Sequence, residues 1–196
     1  MEYGFGEPRL GDLKYQDLNG DSKIDERDKS PIGSGAIPRF TYAMSGGFTY
    51  RSFDLSFLFQ GIGSYTTLVS GIGVWETEFD GVFGELHRNA WTQERFENGE
   101  KITFPALSLA KTVNHEASDY NSYDRSFIRL KNLEIGYTLP SSVSRVIRSE
   151  NVRFILSGQN LLTWDKMKSD DFGPEGGGYS GFPVYRVYNL GLSVVF

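Results

Sequence analysis

The chain has 196 residues, of which 39% are hydrophobic and 15% aromatic, with 23 glycines, no cysteine and a formal net charge of -5. This composition is too apolar and aromatic for a disordered segment, and it excludes disulfides and thiolate metal sites. The Lys and Arg residues are scattered rather than clustered, so nucleic acid is not an expected partner. The longest uncharged apolar stretch, Leu55–Gly63, is far shorter than the roughly 20 residues of a membrane-spanning helix.

Residues 1–38 are predicted to form an extracellular loop with an acidic motif. Oxygen-bearing side chains recur in Asp17–Asp28 with the spacing of a calcium-binding loop. The predicted ligands are Asp17, Asn19, Asp21, the main-chain carbonyl of Lys23 and Asp28, with Asp25 acting through water and Ile24 as an inward apolar anchor. Ser22 replaces the usual glycine, and Pro31 follows too soon for a long exiting helix. We expect one structural calcium ion; the alternative is a merely solvated acidic turn.

Five segments then alternate apolar and polar residues with period two, the pattern of a strand whose faces meet different environments. They are Arg39–Tyr50, Phe53–Gly63, Ser126–Leu139, Val152–Leu162 and Tyr185–Phe196. One face of each segment is apolar and the other is small or polar. The residues predicted to face lipid include Phe57, Leu133, Ile135, Leu190, Leu192 and Val194.

The lengths of the strands and of their connections favour a membrane barrel over a soluble sandwich. The strands are as long as the roughly 9–11 residues that a tilted strand needs to cross a bilayer, and soluble strands are usually shorter. A tight turn at Arg51-Ser52 and a moderate link at Pro140–Asn151 alternate with long loops at 64–125 and 163–184. Bacterial barrels alternate short periplasmic turns with long external loops in this way. The sequence predicts an all-β fold, an antiparallel transmembrane β-barrel of the bacterial outer membrane.

The long loop at 64–125 is richer in apolar residues than a solvated loop requires. A short helix is predicted within Gly84–Asn98. The apolar residues, which must pack internally or against another surface, are Val74, Trp75, Phe79, Val82, Phe83, Trp91 and Phe96. A partner surface is the favoured explanation.

Several segments, in order, resemble the SusC/RagA family. They are the runs at 11–21 (GDLKYQDLNGD), 53–61 (FDLS leading to QG), 126–140 (SFIRLKNLEIGYTLP), 157–164 (SGQNLLTW) and 191–196 (GLSVVF). The run at 126–140 is the most specific of them. The terminal Phe196, with apolar residues at alternate positions before it, is a mark of outer-membrane barrels.

The resemblance implies the closing strands of a roughly 22-stranded barrel. Such proteins hold an N-terminal plug, work with a SusD-like surface lipoprotein, and are powered through TonB. They import oligosaccharides, and in some members peptides, in Bacteroidetes-type bacteria. The plug, the TonB-contacting segment and the signal peptide are expected upstream of residue 1.

Catalytic chemistry is not expected in this sequence. There is no Gly-x-Ser-x-Gly motif, and His87 and His115 fall in the long loop without a paired ligand pattern. The loop carboxylates Glu76, Glu78 and Asp80 are predicted to be solvated rather than to form a glycosidase pair. The tryptophans Trp75, Trp91 and Trp164 are predicted to be external, where they stack on sugars, pack within the loops or pack against the lipoprotein partner.

Two alternative functions remain open on the sequence alone. A soluble, calcium-stabilised β-sandwich that binds carbohydrate would show the same alternation, because its strands also bury one face. A passive porin would share the barrel but would need neither TonB nor a lipoprotein.

Overall fold

The computed structural model describes residues 1–71, 73–76, 83–176 and 182–196. The strands are β1 (Glu2–Tyr3), β2 (Lys23–Ile24), β3 (Phe40–Tyr50), β4 (Phe53–Gly63), β5 (Thr66–Leu68), β6 (Ser122–Asp124), β7 (Phe127–Thr138), β8 (Asn151–Asp165) and β9 (Val187–Val195). The α-helices are α1 (Gln93–Glu97) and α2 (Ser141–Ser144), and single 3-10 turns lie at Glu26–Asp28, Glu85–His87, Val113–His115 and Arg145–Ile147.

The chain divides into two compact units. The loop unit comprises residues 1–36, 66–124 and 167–183, and the sheet unit comprises residues 37–65, 125–166 and 184–196. Residues 1–36 therefore belong with parts of both long loops, although those segments are far apart in the sequence.

The sheet unit is one antiparallel sheet of five strands in the order β3-β4-β7-β8-β9. All five predicted strands are confirmed: β4 has the predicted bounds, β8 continues three residues beyond the predicted end at Leu162, and β9 is shorter than predicted. The tight turn is also confirmed, because Arg51 takes a left-handed conformation with φ 53°. No helix among the described residues is long and apolar enough to cross a membrane.

The sheet is a single layer in this chain. Large apolar side chains on one face are exposed, such as Phe48 at 62% and Leu190 at 83%. The other sheets within the described ranges are two-stranded ladders, β1-β2 and β5-β6, so no second sheet covers this face. A soluble sandwich requires such a cover, which the described residues do not provide.

The loop unit has a small hydrophobic core of its own. Its buried residues are Val69, Val74, Tyr123 and Phe172, with Trp75, Leu86 and Met167 packed against them. The core draws on both long loops, since β5 and β6 pair at the ends of the loop at 64–125 and Phe172 comes from the loop at 163–184. The helix predicted within Gly84–Asn98 is confirmed in part, as a 3-10 turn followed by α1.

Candidate functional site

The strand register arranges the apolar face of the sheet into rows that run across the strands. One aromatic row lies at the end that carries the tight turn, and it consists of Tyr50, Phe53, Tyr137 and Phe154. The other end carries Phe40, Tyr42 and Trp164. The length of β4 from Phe53 to Gly61 is about 26 Å at roughly 3.3 Å per residue, and Gly61 lies opposite Tyr42. At a tilt of about 40° this is about 20 Å of depth, which with the aromatic rows spans the roughly 25 Å apolar band of an outer-membrane barrel.

The residues predicted to face lipid lie on this one face. Phe57 pairs with Leu133, and Ile135 pairs through Leu156 with Leu190. Leu192 and Val194 follow at alternate positions of β9. Aliphatic and Phe side chains therefore fill the middle rows, between the two aromatic girdles.

The prediction for Trp164 is wrong. It was expected in an external loop, but β8 continues through Asp165 and places Trp164 opposite Ile128. Its ring is half exposed on the apolar face, with its centroid 6.4 Å from that of Phe59. Trp164 thus belongs to an aromatic girdle, where its indole is suited to a membrane-water interface rather than to stacking on a sugar.

A β-bulge interrupts the regular alternation in the middle of the sheet. Leu58 and Phe59 are adjacent in β4, but their partners in β7, Asn132 and Leu130, are separated by Lys131. In β8 the residues that pair with Asn132 and Leu130 are Gln159 and Leu162, which are separated by two residues. Asn160, one of those two, has a left-handed φ of 54°. Bulges of this kind bend the sheet and increase its twist, which closing a barrel requires.

The bulge also changes the face of the sheet on which the side chains of Leu130 and Arg129 lie. Leu130 pairs with Phe59 on the apolar face, whereas strict alternation from Leu133 would place it on the polar face. Arg129 turns to the polar face, where its Nε donates to Oγ1 of Thr163 at 2.8 Å and its guanidinium stacks on a Phe127 ring 5.0 Å away. Sequence reasoning missed this switch; the visible signal was the run of Arg-Leu-Lys-Asn, which breaks the period of two.

The polar face of the sheet carries an ion-pair cluster near the tight-turn end. Arg153 donates from Nη2 to Oδ2 of Asp54 at 2.6 Å and to Oε1 of Glu134 at 3.1 Å. Gly136 lies beneath these groups, and a side chain there would occupy the space of the Asp54 carboxylate. The three charged side chains are 34–42% exposed, so the cluster sets the charge of this surface more than it stabilises the fold.

The acidic loop has the backbone curl that its sequence predicts. Asp17 accepts from the backbone N–H groups of Gly20 at 2.6 Å and Ser22 at 2.8 Å. Ser22 takes the left-handed conformation usually filled by glycine, with φ 66°. Ile24 is 2% exposed and so is the inward anchor, and only a 3-10 turn follows it.

The side-chain oxygens of the loop do not converge on a metal position. Asn19 and Asp21 cap backbone N–H groups within the loop, and Asp28 accepts from Leu18 and Asp25. The guanidinium of Arg27 lies 2.7 Å from Asp21 and 2.8 Å from Asp25. Among the described residues, no group of three or more His, Cys, Asp or Glu side chains is arranged to hold a metal ion.

Charge within the loop is balanced by its own arginine. Hydrogen bonds from the Arg27 side chain and backbone, together with its charge, lower the pKa of Asp25 to about 2. Backbone N–H groups of Asp25, Leu18 and Asn19 lower the pKa of Asp28. Asp25 and Asp28 are therefore ionised at neutral pH, as calcium ligands must be. An ion would have to displace Arg27 from Asp21 and Asp25.

Glu76 is buried, which corrects the prediction that it is solvated. Only 2% of the residue is exposed, and its Oε1 accepts from the Ser108 N–H at 2.8 Å. Its Oε2 lies 3.4 Å from Nε2 of His115. Because Nδ1 of His115 accepts from the Thr112 N–H at 3.0 Å, the ring proton lies on Nε2, the nitrogen nearer to the carboxylate. Burial acts to raise the pKa of Glu76, but His115 and the backbone N–H groups outweigh it and lower the pKa.

This buried pair joins separate parts of the loop unit rather than forming a reaction centre. Glycoside hydrolysis requires two carboxyls on either side of a bond. Glu76 is in a closed pocket of hydrogen bonds, and Glu78 and Asp80 lie outside the described residues. His87 is likewise buried, with Nε2 3.1 Å from the Val74 carbonyl oxygen and its ring 4.5 Å from that of Phe104.

The apolar residues of the long loop differ in their burial. Val74 is in the core, Trp75 packs edge-on against His115 at 5.7 Å, and Trp91 covers Gly11. For Val74 the expected partner surface is wrong, because the core of the loop unit buries it. Trp75 and Trp91 are partly buried within the loop unit. Phe83 and Phe96 remain 54% and 66% exposed. Phe79 and Val82 lie outside the described residues.

Comparison with known proteins gives a consistent set of relatives. The chain is 29% identical over 211 residues to TonB-dependent receptor P3 of Formosa agariphila, covering 97% of this chain and 20% of that protein. It is 27% identical over 224 residues to TonB-dependent receptor P26 of the same organism, covering 98% of this chain and 20% of the relative. The chain therefore spans about a fifth of the length of these relatives. No family model matches the sequence.

Solved structures show the same fold. The RagAB peptide importer in its closed-closed state aligns with a TM-score of 0.64 and 25% identity, over 88% of this chain and 19% of that chain. In its open-open state it aligns with a TM-score of 0.63 and 23% identity, over 98% of this chain and 20% of that chain. With the girdled antiparallel sheet, these likenesses define a segment of an outer-membrane β-barrel protein. In sequence and in fold, the chain resembles a segment of a TonB-dependent receptor of the SusC/RagA type.

Proposed function

We propose that the chain is part of an importer that carries oligosaccharides or peptides across the outer membrane, driven through TonB and working with a SusD-like surface lipoprotein. The observation that carries this proposal is the single-layer sheet. One face has two aromatic girdles, and the other carries the Arg153 ion-pair cluster and the buried Arg129. Such a sheet fits between lipid and a polar interior. TonB contact would occur through a region outside residues 1–196.

The relatives support active import over passive diffusion. The receptors of Formosa agariphila are TonB-dependent by name, and RagAB is a peptide importer. The test is uptake of labelled oligosaccharides and labelled peptides by cells that carry or lack the receptor gene, each with TonB present or deleted. Uptake that needs both genes supports the proposal and identifies the substrate class. Uptake that persists without TonB supports a passive porin instead.

The lipoprotein partner is proposed to contact the exposed aromatic side chains of the loop unit. Phe83 and Phe96 are exposed residues of the long loop at 64–125, which connects β4 to β7. Exposed Phe side chains of this kind are typical anchors of a protein interface. The moderate link 140–150 lies at the other end of the strands and so offers a control: Val146 is 81% exposed there.

The experiment replaces these residues in the full-length receptor and measures co-purification of the lipoprotein. Phe83→Ser with Phe96→Ser should weaken capture by at least about tenfold, since interface anchors each contribute on the order of 1–2 kcal/mol. Val146→Ser should leave capture unchanged. Equal capture by all three proteins would remove this surface from the interface.

We also propose that the acidic loop binds one structural calcium ion through Asp17, Asn19, Asp21, the Lys23 carbonyl and Asp28. The curl around Ser22 and the ionised carboxylates support it, whereas the Arg27 contacts oppose it. Hydrogen exchange of residues 17–28 should slow when calcium is added to the full-length receptor, and Asp21→Ala should abolish the effect. Arg27→Gln should lower the calcium concentration needed. Identical exchange with calcium and with chelator would show that the loop is closed by Arg27 alone.

A further inference from the structure

A cavity lined by two cations lies in the link between β7 and β8. It measures about 420 Å³ and is lined by Ser141, Arg145, Arg148, Ser149 and Glu150. Both arginines are exposed, and neither forms an ion pair within the described part of the chain. The lining therefore presents two unpaired guanidinium groups against one carboxylate, that of Glu150.

The cavity also contains unused hydrogen-bonding capacity. Ser149 is 5% exposed, and its Oγ has no hydrogen-bond partner among the described residues. The backbone around it is fixed, because the Ser149 N–H donates to the Ser144 carbonyl at 3.1 Å and the Glu150 N–H donates to the Val195 carbonyl at 2.8 Å. Arg148 holds a left-handed conformation with φ 55°, which ends the 3-10 turn. A buried hydroxyl without a partner is costly unless a ligand or water satisfies it.

The link lies on the apolar side of the sheet. Val152 belongs to the same face of β8 as Phe154, yet it is only 3% exposed whereas Phe154 is 45% exposed. Helix α2 contacts β8, and it therefore accounts for this burial. On the link itself Val143 and Val146 are exposed, one helical turn apart. Exposed apolar side chains and exposed cations thus occur together in the link that packs on this end of β8.

The depth of the link matches the headgroup layer of a membrane. Tyr137 of the aromatic girdle is four residues before Ser141, so α2 begins within about 13 Å of the girdle at roughly 3.3 Å per residue. The headgroup region extends about 5–8 Å beyond the hydrocarbon on each side of a bilayer. Phosphate groups of lipids lie in that layer, where Lys and Arg near a surface are attracted to anionic lipids.

We propose that this cavity binds the phosphate of an anionic phospholipid in the membrane leaflet at the short-turn end of the strands. Arg145 and Arg148 contact the phosphate oxygens, Ser149 Oγ donates a hydrogen bond, and Val143 and Val146 insert at the boundary with the acyl chains. The proposal rests on the membrane placement of the sheet. It does not depend on the transported substrate, on TonB or on the lipoprotein.

The test uses the full-length receptor purified in detergent and titrated with phosphatidylglycerol, with bound lipid counted by native mass spectrometry. Replacing both arginines (Arg145→Gln, Arg148→Gln) should weaken the tightest phosphatidylglycerol site by about 30-fold, equivalent to about 2 kcal/mol. The matched control is Arg51→Gln, because Arg51 is an exposed arginine of the tight turn at the same end of the sheet, is stacked on Tyr50 at 5.3 Å and does not line the cavity. It should change lipid binding by less than about threefold.

Other outcomes would overturn the proposal. A loss per replaced arginine that is the same in the double variant and in Arg51→Gln would indicate general surface attraction rather than a site. Displacement of the lipid by millimolar inorganic phosphate, with equal binding of free phosphate by the lipid-free receptor, would assign the cavity to a soluble anion. Heat-modifiable migration in gels reports a folded barrel independently, so failure to insert would count against the membrane assignment and not against the lipid site alone.

Discussion

Replacing Leu133 with arginine should test the membrane orientation of the sheet most directly. Leu133 lies in the central strand, in the apolar row that it shares with Phe57. It is four residues from Tyr137 in the near girdle, about 13 Å along the strand, and a similar distance from the girdle that contains Trp164. Leu133 is therefore at the midplane of the predicted hydrocarbon layer.

The expected cost depends on depth. Arginine facing lipid at the midplane costs about 2–4 kcal/mol, and near the interface about 0–1 kcal/mol. Leu133→Arg should thus lower the folding equilibrium constant by about 30- to 900-fold, and Leu192→Arg, in the row of the near girdle, by less than about sixfold. Ser56→Arg is the matched control, because Ser56 is next to Phe57 but on the polar face. It should change stability by no more than about 0.5 kcal/mol.

The assay is reversible urea unfolding of the full-length receptor in phospholipid vesicles. A cost for Ser56→Arg as large as that for Leu133→Arg would refute the assignment of the two faces. Equal costs for Leu133→Arg and Leu192→Arg would refute the positions of the aromatic girdles, even if the faces were correct.

Three further results are expected. Gly61→Ala should destabilise the barrel by about 1–3 kcal/mol in the same assay, since its methyl would meet the Phe127 carbonyl and the Tyr42 ring, whereas Gly63→Ala meets only ordinary contacts and should be nearly neutral. Bromolipid quenching should fall more in Trp164→Phe than in Trp91→Phe, and the reverse order would return Trp164 to the loops. The stabilising effect of Glu76 should be complete above its ordinary pKa of 4.5 and should fade as pH drops through its lowered folded pKa, because the folded state binds that proton less readily than the unfolded state. The measurement is hydrogen exchange of the Ser108 amide at neutral pH and at about pH 3, corrected for the intrinsic exchange rate. Equal protection of this amide at both pH values would contradict the prediction. Glu76→Gln should remove the pH dependence.

Much of the sheet was determined by the sequence itself. The period of two in β4 gave its bounds and its two faces, because a strand between lipid and a polar interior has a different chemistry at each successive residue. The family resemblance drew on the same segments, and the relatives and the RagAB structures confirm it. The curl of the acidic loop was equally local, since each of its carboxylates binds backbone N–H groups within a few residues.

The tertiary structure decided what depends on contacts between distant segments. The bulge at Lys131 exchanges Leu130 and Arg129 between faces, and it exists only because β4, β7 and β8 are paired in that register. The burial of Glu76 depends on His115 and Ser108, which are more than thirty residues away in the chain. From the sequence alone, a carboxylate in a polar loop is predicted to be solvated. A short-range sequence pattern carries no information about burial by residues that are distant in the chain.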